Sequence, residues 1–126
     1  MSIVAVGVDS IDIARIEALW RRGGSRFLQR IYSDAELAYC LPRHSPAESL
    51  AARFCAKEAV MKCLGTGWSE GLAFRQIEVH REATGSVHIR LHGTAAARAA
   101  ALCIVRLHVS LTHTATMATA FVVAEA

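Results

Sequence analysis

The chain lacks several signals, and each absence removes a class of protein. No stretch of roughly 18 unbroken apolar residues occurs, so no transmembrane helix is expected. The first residues, MSIVAVGVDS, have no basic region followed by a long apolar core and a small-residue cleavage site. They read as a strand and not as a signal peptide. The four cysteines, Cys40, Cys55, Cys63 and Cys103, form no CxxC pair. Neither a disulfide framework nor a zinc site has its usual spacing, and the pattern suits small core residues in a reducing cytoplasm. Walker A and Rossmann glycine patterns are absent. Lysine is scarce, and the formal charge is only +3 with a pI near 8.9, which fits an acidic partner but is too weak an argument for nucleic acid. With 53% hydrophobic and 20% charged residues the chain is not disordered, and residues 1–126 are long enough for one domain with a real core but not for two.

The most informative stretch is SPAESLAARFCAKEAVMKCLGTG, from Ser45 to Gly67. Ser45 is placed to cap a helix, Pro46 to occupy its first turn and Glu48 to close a capping box. Gly65 is the expected stop. At about 100° per residue, Leu50, Phe54 and Met61 form one apolar stripe and Cys55, Ala59 and Cys63 a second, with Glu58 and Lys62 between them. A helix apolar on two sides is expected to be largely buried. Burying ions costs several kcal/mol even in pairs. Composition alone leaves two readings open for Glu58 and Lys62: a partly exposed structural ion pair, or a catalytic or metal-binding carboxylate beside a phosphate-binding lysine.

Upstream, residues 3–9 read as a buried strand ending at Asp9, a position suited either to facing a cleft or to capping the next helix. Residues 11–22 have helical spacing, with Arg15 and Arg22 on one face, and Gly23 and Gly24 are expected to end the helix. Arg26, Phe27 and Arg30 follow. These arginines fit a docking surface or an ordinary solvated face. A short helix at 33–40 has its own capping box, Ser33 and Glu36. His44 falls in an exposed loop. Downstream, 75–81 and 86–92 alternate as a hairpin with one wet face; its outward histidines, His88 and His92, fit solvated side chains better than ligands. Thr94 is expected to cap an alanine-rich helix. Residues 105–112 and 116–124 read as the last two strands, with His113 in the turn between them.

Asp9, the Glu58/Lys62 helix and the Ser110–His113 segment could converge. Two carboxylates with phosphate oxygens suit magnesium, a lysine can neutralise phosphate charge, and a hydroxyl and a histidine can add donors. That is equipment for phosphoryl-group transfer. No nucleophile elbow or acidic partner marks a serine hydrolase.

The ordered motifs Gly7-Val8-Asp9, Ile13-Ala14-Arg15-Ile16, Arg30-Ile31, Arg53-Phe54-Cys55-Ala56-Lys57-Glu58-Ala59, Lys62, Gly65-Thr66-Gly67 and Val109-Ser110-Leu111-Thr112-His113 resemble the holo-[acyl-carrier-protein] synthase family, the short bacterial type of 4′-phosphopantetheinyl transferase. The resemblance runs nearly end to end. It implies an α+β fold, an antiparallel sheet packed with helices, and a homotrimer with active sites at subunit interfaces. It also implies transfer of the 4′-phosphopantetheine arm from coenzyme A to a serine of an acidic apo-acyl carrier protein, releasing adenosine 3′,5′-bisphosphate. Carried over residue by residue, Asp9 and Glu58 would hold Mg²⁺. Glu58 would take the serine proton directly or through water, and Lys62 would stabilise the pyrophosphate. Arg53, Lys57, Gly65, Thr66, Gly67, Ser110 and His113 would contact the nucleotide and its phosphates. Arg15, Leu19, Arg22, Arg26 and Phe27 resemble the carrier-docking surface. Cys55 and Cys63 depart from the alanines usual there, and Asp12 stands where glutamate is common. Two rivals are a non-enzymatic ferredoxin-like binding module and a different Mg²⁺-dependent nucleotide or pyrophosphate enzyme.

Overall fold

A computed structural model describes residues 1–65 and 72–126. The elements run β1 (Ile3–Asp12), α1 (Ile13–Ile31), α2 (Asp34–Cys40), α3 (Pro46–Leu64), a 3-10 turn (Phe74–Gln76), β2 (Ile77–Arg81), β3 (Val87–Leu91), α4 (Gly93–Ala101), β4 (Arg106–His113) and β5 (Met117–Glu125). The expected α+β architecture is present, but the strands form two antiparallel sheets, β1-β5-β4 and the hairpin β2-β3. Among the described residues no helix is long and apolar enough to cross a membrane.

The hairpin follows directly from its alternation: Ile77 and Val79 are buried, while His88 and Arg90 face out. The box on α2 is fully formed. Ser33 Oγ accepts from the Glu36 amide at 3.2 Å, and Glu36 accepts from the Ser33 amide at 2.9 Å.

Buried α3 residues lie on nearly every side, and the helix runs between two layers. Its Cys55–Ala59–Cys63 stripe packs on the three-stranded sheet, with Cys55 Sγ 3.4 Å from the Ala118 carbonyl and Cys63 Sγ 3.9 Å from that of Val122. The opposite stripe faces the helical layer. Tyr32 Oη donates to the Leu50 carbonyl at 2.7 Å, and the Phe54 and Phe74 rings stack at 5.2 Å. Fully burying one such side chain stabilises by about 1.5–3 kcal/mol.

Several boundaries differ from expectation. β1 continues three residues past Asp9, because Ser10, Ile11 and Asp12 pair in register with Thr119, Ala118 and Met117. Asp9 therefore points from within a strand and caps nothing. β1 is also buried on one face only: Val6 and Val8 are 57% and 52% exposed on the sheet's outer face beside Phe121, at 46%. Gly23 and Gly24 do not end α1. Gly24 breaks it at φ 57° and ψ −143°, and helical geometry resumes to Ile31. Ser45 occupies the N-cap position of α3 but makes no side-chain cap: the Glu48 amide donates to the Ser45 carbonyl at 3.1 Å, and the Glu48 carboxylate reaches His113 at 3.3 Å instead of closing a box. Thr94 lies inside α4, whose N-cap is His92, and His113 is the last residue of β4 and not part of the turn.

Candidate active site

A glycine-permitted approach brings β1 and α3 together. At Gly7 a Cβ would sit 2.1 Å from the Ala59 carbonyl oxygen, so only glycine allows the strand to lie this close to the helix. Two residues on, the same inward face of β1 presents Asp9 to the Glu58–Lys62 turn of α3. Gly65, at φ 73°, stops the helix one turn later. Thr66 and Gly67, the rest of the expected phosphate loop, lie outside the described residues.

Lys62 does not rely on Glu58. Its ammonium donates to the Val8 carbonyl at 2.7 Å and lies 3.4 Å from Asp9 Oδ1. The helical i, i+4 spacing predicts a local pair; the tertiary approach of β1 supplies the nearer acceptors. Glu58 is half-buried, and its carboxyl is raised above the ordinary glutamate value. Burial is the main cause and the Asp9 charge the next, with Lys62 and Arg15 opposing. Burial, followed by the charge and hydrogen bond of Asp9, pushes the Cys55 thiol up to about 12. Its Sγ is turned to the Ala118 carbonyl at 3.4 Å. The result is two adjacent carboxylates held against their mutual repulsion, with an ammonium at their edge that is 53% exposed.

Lys57, expected to touch phosphate, points elsewhere. It is fully buried, and its three donors go to Glu36 Oε1 at 2.7 Å, the Phe74 carbonyl at 3.0 Å and the Ile77 carbonyl. Glu36 also accepts from the Val79 amide at 2.9 Å. Lys57 thus ties α3 to α2 and β2, and no donor is left for a ligand.

Arg53 and His113 meet away from Glu58, in a cleft of about 350 Å³ at the N-terminal end of α3. Sequence reasoning missed its other members, among them Tyr39, Arg43 and Arg81. No local pattern marks them, because they come from α2, the following loop and the end of β2. Glu48, the partner of His113, lies ten residues before Glu58, or about 15 Å along the helix at 1.5 Å per residue. Ser110 is separate again, since it faces out from the sheet opposite Phe121. Within one chain the expected convergence therefore holds for Asp9, Glu58 and Lys62 but not for Ser110 and His113.

Leu19, Arg22, Arg26 and Phe27 line one groove of about 290 Å³ together with Arg30, formed where α1 bends at Gly24. Arg15 lies outside that groove, close enough to Glu58 for its charge to favour the carboxylate.

An adjoining carboxylate pair, a lysine at its rim and a separate arginine cleft describe a site for a polyphosphorylated substrate. Residues 5–120 match the 4′-phosphopantetheinyl transferase superfamily, and the chain belongs to it. Its relatives include a holo-[acyl-carrier-protein] synthase of Methylobacterium sp. (strain 4-46), 48% identical across 98% of this chain and 95% of that one. Among solved structures, the holo-[acyl-carrier-protein] synthase of Neisseria meningitidis is similar with a TM-score of 0.89 at 32% identity, covering 99% of this chain and all (100%) of that one. The Helicobacter pylori holo-[acyl-carrier-protein] synthase, solved in complex with coenzyme A, gives 0.84 at 30% identity over 96% and 100%.

Proposed function

We infer that the chain transfers the 4′-phosphopantetheine arm of coenzyme A to a serine of an apo-acyl carrier protein, the activity named for its relatives. The observation that carries this reading is the meeting of Asp9, Glu58 and Lys62 where β1 crosses α3, in a member of this superfamily. Glu58 takes the proton from the serine hydroxyl, a task that its raised carboxyl suits. The serine oxygen forms a bond to the phosphorus carrying the pantetheine arm, and the pyrophosphate bridge breaks. Adenosine 3′,5′-bisphosphate leaves with the electron pair, and Lys62 offsets its charge.

The donor set fits Mg²⁺. Asp9 and Glu58 offer hard carboxylate oxygens, and their mutual repulsion is what a divalent cation relieves. When bound, the ion would neutralise charge on the pyrophosphate. Arg53 and His113 take the nucleotide end, and the arginine-rich groove on α1 takes the acidic carrier.

The same reading includes a homotrimer with active sites at its interfaces. The outer sheet face exposes Val6, Val8 and Phe121 together, and Ser110 shares that face. Assembly through it would bury this apolar surface and set the nucleotide cleft of one subunit near the carboxylates of another. A solution mass of three 13.6 kDa chains by light scattering is expected. The free cysteines suit a reducing cytoplasm.

The test is incubation with coenzyme A, Mg²⁺ and a panel of apo-carriers. One carrier should gain about 340 Da, the mass of the arm. No gain with any carrier sinks the reading. Release of phosphate or pyrophosphate in its place points to a nucleotide hydrolase.

A further inference from the structure

Away from the carboxylates and the nucleotide cleft, a second network converges on the 3-10 turn, and each residue of that turn ties a different helix. Phe74 stacks on Phe54 of α3, and its carbonyl accepts from Lys57 on the same helix. Gln76 Oε1 accepts from the Ala95 amide of α4 at 3.1 Å. Arg75, between them, turns to α1. Its Nη1 donates to the Gln29 carbonyl at 2.8 Å, and its Nη2 donates to Asp34 Oδ1, at the start of α2, at 3.3 Å. Gln29 lies in the last turn of α1, where carbonyls have no amide ahead of them in the helix. A cation there also suits the helix dipole.

The part of α1 held in this way is not continuous with the rest. The segment after the Gly24 break, residues 25–31, is too short to keep helical geometry alone. Leu28 and Ile31 bury its inner face. Apolar packing is non-directional, and the bond from Arg75 adds a direction. The groove of about 290 Å³ straddles the break: Leu19 and Arg22 come from before it, and Arg26, Phe27 and Arg30 from after it. At Gly23 a Cβ would lie 2.7 Å from the Phe27 Cβ, so the two halves close tightly on each other there. The shape of the groove is therefore the setting of one half-helix against the other. Arg75 does not line it.

We propose that Arg75 is a positioning residue for the carrier: by holding the Gln29 carbonyl it sets the second half of α1 against the first, and so sets the affinity of the groove for its acidic partner. This rests on the docking reading above. Arg75 needs no contact with the carrier. It stands on a turn pinned to α3, so Arg26, Phe27 and Arg30 are placed relative to the helix that carries Glu58. Ordering a two-part groove in advance spares that cost at association. The pair with Asp34, whose side chain is 93% exposed, contributes little, and the bond to the carbonyl is the one that matters.

The experiment measures kcat and KM for the apo-carrier and for coenzyme A, each with the other saturating, in the wild type, Arg75→Met and Arg75→Lys. Arg75→Met should raise KM for the carrier about tenfold, the scale of one charge-assisted hydrogen bond, and leave KM for coenzyme A unchanged. Arg75→Lys keeps a cation and a donor for the carbonyl and should recover the carrier KM. Hydrogen exchange of the 25–31 amides in the free protein should quicken in Arg75→Met and not in Arg75→Lys. Equal rises in both KM values, a fall in kcat alone, or unchanged exchange in Arg75→Met overturns the proposal. If the wild type transfers nothing, the transfer reading fails, and calorimetry with the apo-carriers still decides. Wild-type binding that Arg75→Met weakens about tenfold supports Arg75. No binding by the wild type, or binding that Arg75→Met leaves intact, refutes it.

Discussion

Lys57 and Glu58 are neighbours on α3, yet their surroundings are opposite. Lys57 is enclosed, with a buried counter-charge and two carbonyls using all its donors. Burial lowers its ammonium from the ordinary lysine value, while Glu36 pulls the other way. Glu58, one residue and about 100° further round the helix, is half-open beside a second carboxylate, with its carboxyl raised. One cluster is satisfied within the fold. The other is left with a charge conflict that a cation and a phosphate would resolve. A perturbed, partly exposed group in a cleft marks a functional site better than a buried, saturated one.

The largest way to break this comparison is Lys57→Met. It strands the Glu36 charge in the interior and should cost about 3–5 kcal/mol in urea denaturation. Adding Glu36→Gln should recover part of that loss, because the uncompensated charge is gone. Gly7→Ala comes next. The new Cβ would collide with the Ala59 carbonyl, so β1 must back away, at a cost of about 1–3 kcal/mol. Asp9 moves with the strand, so this variant should lose transfer activity as well. Lys62→Ala should cost only about 0–1 kcal/mol, since the Lys62 side chain is half-exposed and its pair with Asp9 is long at 3.4 Å, while slowing transfer strongly. A Lys62→Ala enzyme as destabilised as Lys57→Met would erase the distinction between the two clusters.

The smallest effect is a pH dependence. The folded state raises the Glu58 carboxyl above 4.5, so it favours the protonated form. The wild type should therefore lose stability as pH rises from 4.5 through the folded value, and then level off. Glu58→Gln removes that slope. At pH 7 the variant should be at least as stable as the wild type, and any gain should vanish below pH 4.5. Denaturation at several pH values measures it.

Local signals were readable in the sequence. The Ser33/Glu36 box, the glycine stop at Gly65 and the alternation of the 77–91 hairpin each depend on residues a few positions apart. What stayed hidden depends on residues brought together from afar. Spacing pairs Lys62 with Glu58, whereas the fold offers it Asp9, 53 residues away. Lys57 looks like a phosphate contact until the fold surrounds it with Glu36 and two carbonyls. Tyr39 and Arg81 carry no motif at all. The outer face of β1 reads as buried because apolar composition alone does not distinguish a strand covered on both faces from one covered on one.

The most direct measurement is the Mg²⁺-dependent rate of carrier mass gain for Glu58→Gln against the wild type, after the variant has been verified to be at least as stable. The change keeps the shape of the side chain and removes its charge. A fall of about 10²- to 10⁴-fold is predicted from loss of the base, compounded by any loss of metal affinity. Transfer at the wild-type rate would contradict the role of the Asp9–Glu58–Lys62 cluster.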